Sequence, residues 1–314
     1  MGVSRTIMAN RPYFPTTAEA LQAITGLYDF VWPTAIALWN LRWQVAGYCT
    51  VRPSATVAEL RSRFAEGSSI TGANLRRACL QMTWDQQTAS LGAVLLTNLF
   101  AIYEGWAKRT VAALSLKSSF EAALQKTGLT ALLASLQPRS TLLDSAVYPV
   151  LKRNSRINLA KLDNWLVCYR YFKAVRNKQL HDHGIADKKA EQSYAAFAVV
   201  ATKSALGVKE VPEHFPVVAG SPVRLTLRGA VGFSDVLFRT LLTIDAELSR
   251  LAVAEPVFAS RWKNHRSPSR VFKSSASDRR KQIGNVLKRM GFAGLVVTPA
   301  LEAELRARGL ANWN

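Results

Sequence analysis

The sequence predicts an all-α protein, and three observations carry that reading. Apolar residues recur at three- and four-residue intervals through long segments, the spacing of one helix face. Pro and Gly stand between these segments, at Pro33, Pro138, Gly184 and the Pro-rich stretch 207–232. Strand-like runs are limited to two short pieces, Val223–Leu227 and Leu295–Val297. The expected architecture is a helical bundle over 85–254, with a helical N-terminal extension (1–84) and a small basic C-terminal appendage (255–314).

In the extension, Thr16-Thr17 precede an apolar-periodic segment from Ala18 to Phe30. Trp32-Pro33 should interrupt it, because an interior proline removes a helical hydrogen bond and clashes with the preceding turn. A second helix is then expected from Thr34 to Ala46 and a third from Thr56 to Ala65. Trp32, Trp39 and Trp43 suggest base-stacking platforms in principle. At helical spacing an aromatic stripe reads more simply as core or interface packing.

Residues 85–116 form the clearest helix, with Leu91, Leu95, Leu99, Ile102 and Trp106 on its buried stripe. Another helix is expected over 118–136, ended by Pro138, and a basic loop over 137–158. A long helix follows from Leu159 to His183, stopped by Gly184, since a left-handed residue past a helix end favours glycine. Further helices are predicted over 188–205 and 233–253. In the C-terminal segment, Ile283, Val286, Leu287 and Met290 mark one side of a short amphipathic helix capped by Ser277, and Thr298-Pro299 open a last one.

The 314 residues carry 41 Lys+Arg against 21 Asp+Glu, a net charge of +20. Such a balance predicts attraction to polyanions: RNA, DNA or an acidic protein. Arg261, Lys263, Arg266, Arg270, Lys273, Arg279, Arg280 and Lys281 lie in one stretch with Asp278 as its acid, interleaved with Trp262, His265 and Phe272. That pattern reads as a nucleic-acid contact, and a solvated charged face is the plainer alternative. Three cysteines without a C-x-x-C pair argue against a disulfide framework or a zinc site and for the cytoplasm. The most apolar run, 89–103, is too short to span a bilayer, so no membrane is expected. Met1-Gly2 with Thr6 fits a myristoylation pattern, a match too short to carry weight.

The stretch with most chemical content is Tyr169–Gly184. Its apolar stripe runs Leu162, Trp165, Tyr169, Phe172, and the next position is Arg176. An arginine keeps its charge, so on a core-facing stripe it needs an acid, an interface or an anion. Arg170, Lys173, Asn177 and His181 follow one another on the neighbouring flank. Arginine, amide and imidazole are thus expected at one rim of a helix end.

Arg176-Asn177-Lys178-Gln179-Leu180-His181 resembles the R-x4-6-H signature of HEPN-domain ribonucleases, in which a polar residue often follows the arginine. Glu104 is similar to an acid that several of these families carry on the first bundle helix, where it can pair with the motif arginine; a surface pair with Lys108 is the alternative. The resemblance implies a HEPN-like bundle and a catalytic set of Arg176, Asn177, His181 and Glu104, with Arg170 and Lys173 beside it on RNA. It implies a metal-independent endoribonuclease of toxin or anti-phage type, needing no cofactor and leaving a 2′,3′-cyclic phosphate. It further implies a homodimer whose two motifs face each other across a two-fold axis, and an acidic antitoxin or defence-system protein as partner. Two rival readings are a non-catalytic nucleic-acid-binding protein and a dimerisation component of a defence complex.

Overall fold

The N-terminal segment folds as one helix, α1 (Pro15–Val51), which continues through Pro33. This corrects the expected break at Trp32-Pro33. The proline ring is exposed, and buried side chains on both sides of it, Ile24 and Val31 before and Val45 after, anchor both halves of the helix. The computed structural model describes residues 11–181, 184–266 and 271–313.

Asp245 anchors the start of α1. Its carboxylate is buried and accepts from the backbone N–H groups of Tyr13 (2.5 Å) and Phe14 (2.9 Å), the latter at the N-cap, where a helix start leaves the donor without an intrahelical partner. Burial pushes the Asp245 carboxyl up to about 6, outweighing the lowering by those two donors, by Thr17 and by Arg261. The folded chain therefore holds this proton more tightly than the unfolded chain does. The stabilisation from proton uptake is complete below the ordinary aspartate value and is lost as pH rises through about 6. Relative to Asp245→Asn, the wild-type protein should lose about 2 kcal/mol of stability between pH 4 and pH 7. Urea unfolding of both proteins at several pH values reads this directly, and a constant difference between them would refute it.

After α1 come α2 (Val57–Ala65), capped by Thr56, and a π-helical turn at Arg77–Gln81. These pack on the far half of α1 around Val45, Ala55, Leu60, Leu75 and Cys79, a small cluster apart from the main core. The near half of α1 belongs to the main core through Tyr13, Phe14, Ala20, Leu21, Ile24 and Val31. Only the far half of α1 thus packs in a cluster of its own.

The helix α3 (Trp84–Ala113) opens with a capping box in which Thr83 and Gln86 satisfy each other's backbone donors. Its buried residues include Leu91, Leu95, Leu99 and Trp106 of the expected stripe, while Ile102 is half-buried. Left-handed Gly128 splits the helix expected over 118–136 into α4 (Ser118–Ala123) and α5 (Leu129–Ser135). The segment 137–158 is partly helical, holding a π-helical turn at Leu143–Val147 and α6 (Tyr148–Leu151). Next come α7 (Leu162–His181), α8 (Lys188–Val200) and the single turn α9 (Lys203–Leu206).

The helix α10 (Leu227–Leu248) begins six residues before the expected Phe233, capped by Thr226. Glycines weaken a helix interior, but Gly229 and Gly232 serve packing here. A Cβ on Gly229 would come 2.5 Å from the Glu213 carbonyl oxygen, and one on Gly232 2.7 Å from Pro212 Cα. The connection 207–226 therefore lies directly on the first turns of α10. Most of α10 is buried, and it packs on α1, α3 and α7. Phe233 stacks on Phe100 of α3 (5.2 Å) and Phe172 of α7 (4.8 Å) at the centre of the bundle.

The chain ends in α11 (Glu255–His265), α12 (Ala276–Arg289) and α13 (Pro299–Ala307). Thr298 caps α13 as expected, whereas α12 starts one residue before the predicted cap Ser277. Phe258, Trp262, Ile283, Leu287, Leu301 and Leu305 enter the same apolar cluster as the bundle, so 255–314 shares its core. Neither Val223–Leu227 nor Leu295–Val297 is a strand. Among the described residues β-structure is limited to isolated bridges, Arg139 with Leu251 and Ile185 with Pro222. Val223 N–H donates to the Gly184 carbonyl (2.7 Å), and the pairing there goes no further than the single bridge beside it. Among the described residues no helix is long and apolar enough to cross a membrane.

Candidate nucleic-acid cleft

Two faces of α7 govern the site. The stripe Leu162, Trp165, Leu166, Tyr169, Phe172 is buried, and Arg176 continues it. Its guanidinium lies over the Phe100 ring (5.1 Å), with Nη2 3.8 Å from Glu104 Oε1 on α3. Among the described residues Arg176 Nε has no hydrogen-bond partner although it is buried. A cation placed in this way is held by charge and ring face with donors still unused.

The flank Arg170, Lys173, Asn177, His181 faces outward. It forms one wall of a cleft of about 1110 Å³ whose other walls come from α4 with the following turn (Glu121, Gln125, Lys126) and from α8 (Lys189, Ser193). His181 and Arg170 are exposed there, and Lys173 and Asn177 half-buried. Lys173 is the joint between the two faces. Its Nζ donates to Gln125 Oε1 (2.7 Å) and Glu104 Oε1 (2.9 Å), so Glu104 serves Lys173 and Arg176 together. Charge-assisted bonds of this kind fix geometry more strongly than neutral ones.

Arg176 itself does not line the cleft, which corrects the expectation of a single rim. A helix turns about 100° per residue. Arg176 is therefore aimed at α3 while Asn177, one step on, is aimed at the cleft. The set Lys173, Asn177, His181 is what the fold brings together on the open side, with Arg176 and Glu104 behind Lys173. Gln125, Lys126 and Lys189 join them without any mark in the sequence, since only the packing of α4 and α8 beside α7 brings them to the cleft.

The end of α7 is built by local chemistry. Gly184 is left-handed (φ +79°), and its N–H donates to the Lys178 carbonyl (3.0 Å). Lys178 Nζ donates to Asp187 Oδ2 (2.6 Å), while Asp187 Oδ1 caps α8 by accepting from Ala190 N–H. The bond from Lys178 holds the Asp187 carboxyl below its ordinary value. This clamp orients α8 against the cleft. Asp182 and His183 lie outside the described residues. Among the described residues no cluster of His, Cys, Asp and Glu is arranged to hold a metal ion.

The basic C-terminal residues divide by burial. Arg261 is turned inward, over the Tyr13 ring (5.8 Å) and toward the Pro12 carbonyl (3.3 Å). Arg266 donates to the Leu310 carbonyl (2.7 Å) and lies over Phe272. Arg279 pairs with buried Glu302 (3.0 Å) and stacks on Trp313 (4.6 Å), and Arg280 reaches the same carboxylate at 3.4 Å. Arg266, Arg279 and Arg280 tie the C-terminal elements to one another, and Arg261 ties α11 to the segment before α1. Their inward placement corrects the picture of a uniformly solvent-facing basic stretch, and the reason is that Glu302 and backbone carbonyls supply partners that water would otherwise provide. Lys263, Lys273 and Lys281 are exposed, Lys273 with Asp278 at 3.2 Å. Arg270 lies outside the described residues. No protein-family model, no curated protein and no solved structure matches the chain.

Proposed function

We propose that the protein is a metal-independent endoribonuclease with a HEPN-like bundle, acting as a toxin or anti-phage effector. One observation carries this reading: His181, Asn177 and Lys173 line one basic cleft, with the Arg176–Glu104 pair directly behind Lys173. RNA cleavage by internal attack needs a proton acceptor for the 2′-OH, a proton donor for the departing 5′-oxygen and a cation beside the phosphorane. The 2′-oxygen bonds to phosphorus, the P–O5′ bond breaks, and the 5′-oxygen leaves as a hydroxyl. The products are a 2′,3′-cyclic phosphate and a 5′-OH end.

His181 is assigned the proton transfers, because an imidazole exchanges protons near neutral pH. Lys173 supplies the cation on the open side and Asn177 a donor to a phosphate oxygen. Arg176 orients Glu104 and through it Lys173, and it turns its unused donors to substrate when RNA or a second motif approaches. The resemblance adds a homodimer as the complete enzyme and an acidic antitoxin or defence protein as its neutralising partner.

Arg176→Lys should lower cleavage nearly as much as Arg176→Ala, since lysine lacks the planar fork that spans Phe100 and Glu104. Rates of the two variants on one RNA check this, and wild-type activity in the lysine variant would remove Arg176 from the site.

The placement of Arg176 outside the cleft favours a second reading, a non-catalytic RNA-binding protein in which Arg176 is a structural ion pair. The experiment that separates the readings is incubation of the purified protein with total RNA in EDTA, followed by analysis of the new ends. Cyclic phosphate ends that disappear with His181→Ala support the enzyme. Intact RNA bound by both proteins supports the binder.

The exposed lysines give a further expected outcome. Neutralising Lys263 and Lys281 should flatten the salt dependence of RNA affinity by about 0.7 to 0.9 per lost phosphate contact in the slope of log K against log salt. Arg279→Ala should act on stability instead, since its guanidinium is buried between Glu302 and Trp313. Binding titrations at three salt concentrations decide it, and an unchanged slope for the lysine variants would place the RNA elsewhere.

A further inference from the structure

From Phe30 to Thr50 the chain carries a single charged residue, Arg42, in a protein of net charge +20. That arginine is engaged with the Met82 carbonyl (2.6 Å). The same length of α1 presents Trp32, Ile36, Trp39 and Trp43 at spacings of four, three and four residues, which places them on one stripe. They are 45, 62, 42 and 63 % exposed, so of core or interface packing, the two readings of the spacing, core packing does not hold. The rings are held in place: Trp32 stacks on Tyr28, and Trp39 makes edge contacts with Trp43 and with Trp84 of α3. Rings fixed before contact lose little freedom when covered.

We infer that this α1 stripe is the surface on which a second copy of the chain docks, with the two α1 helices antiparallel across a two-fold axis. The spacing is symmetric under reversal. Trp32–Trp43 and Ile36–Trp39 share one midpoint, between Ala37 and Leu38, so antiparallel pairing sets Trp32 against the copy's Trp43 and Ile36 against the copy's Trp39. That is the self-complementarity a two-fold contact demands. The four side chains offer about 500 Å² of exposed apolar surface per copy, counting aromatic rings at their usual size. This is over half of the roughly 800 Å² per partner in a stable interface, and it lies at the upper end for a lone monomer patch. Flanking surface along about 30 Å of helix can supply the remainder.

Charge decides among occupants. Two copies of a +20 protein repel, so they meet most easily on a face that carries no charge, and interface cores are depleted in charge and rich in Trp. Single-stranded nucleic acid stacks on aromatic rings too, but it needs cations along the track, and this stripe has none to offer. An anionic lipid surface likewise calls for basic residues flanking the aromatic face.

The inference does not rest on the ribonuclease reading, and its test reads mass, not cleavage. Sedimentation velocity of the full chain at tens of micromolar should show a dimer that dissociates on dilution, with tryptophan emission moving to the red in the same concentration range. Ile36→Glu with Trp43→Glu should sediment at half the wild-type mass, with unchanged circular dichroism and melting temperature, whether or not the α7 motifs form a contact of their own. A wild-type protein that stays monomeric over the whole range overturns the proposal, as does a folded double variant that remains dimeric. Monomeric wild-type protein that binds anionic vesicles or single-stranded oligonucleotides only with its stripe intact overturns it in favour of those occupants. Should the double variant not fold, the concentration dependence of the wild-type emission still decides, because a monomer shows no shift.

Discussion

Replacing His181 by Ala is expected to abolish RNA cleavage, a loss of about 10²- to 10⁴-fold, while RNA binding and folding persist. The size follows from the role given to it: Lys173 and Asn177 attract and orient a phosphate, but an ammonium and an amide do not accept the 2′-OH proton at neutral pH. The stability cost should be small because His181 is exposed at the last turn of α7 and the Gly184–Lys178 turn that ends the helix uses backbone atoms alone. Surface substitutions of this kind usually change stability by about 0.5 kcal/mol or less, a shift of a few degrees at most in melting temperature. Cleavage and thermal unfolding measured on the same preparation test both halves. Full activity in the variant would end the HEPN-like reading, and loss of activity with loss of fold would show that His181 is structural.

Phe233→Ala should have the largest effect on stability. Phe233 is fully buried, stacks on Phe100 and Phe172, and lies 6.4 Å from the Tyr169 ring, so it joins α3, α7 and α10 at one point. Truncating a buried phenylalanine removes its transfer energy and leaves a cavity, together about 3 to 5 kcal/mol. The total stability of such a domain is about 5 to 15 kcal/mol, so the variant would be marginal at best. Phe233→Leu keeps most of the volume and should cost less. Urea midpoints of the two variants test this, and a Phe233→Ala midpoint close to wild type would mean that the three helices are held elsewhere. The cluster also carries the site: Phe100 supports the Arg176 guanidinium, so loosening it should lower cleavage before the protein unfolds.

The sequence by itself determined the all-α class, because three- and four-residue apolar spacing forces one face of each segment out of water whatever the partner. It determined α3 and its stripe, the cap of α13 by Thr298-Pro299 and the stop of α7 at Gly184, since these depend on residues within one turn of each other. It also determined that Arg176 needs a partner, and Glu104 stands 3.8 Å from its guanidinium. Tertiary structure alone decided the rest. It kept α1 continuous through Pro33 because packing along both halves outweighs one lost hydrogen bond. It started α10 at Leu227, where Gly229 and Gly232 let the connection 207–226 press against the helix. It turned Arg261 and Arg279 inward toward partners many residues away. It also separated Arg176 from the cleft, put Gln125, Lys126 and Lys189 into it, and left the tryptophan stripe of α1 in the open. Each of these rests on which elements become neighbours, and neighbours distant in the chain leave no local pattern to read.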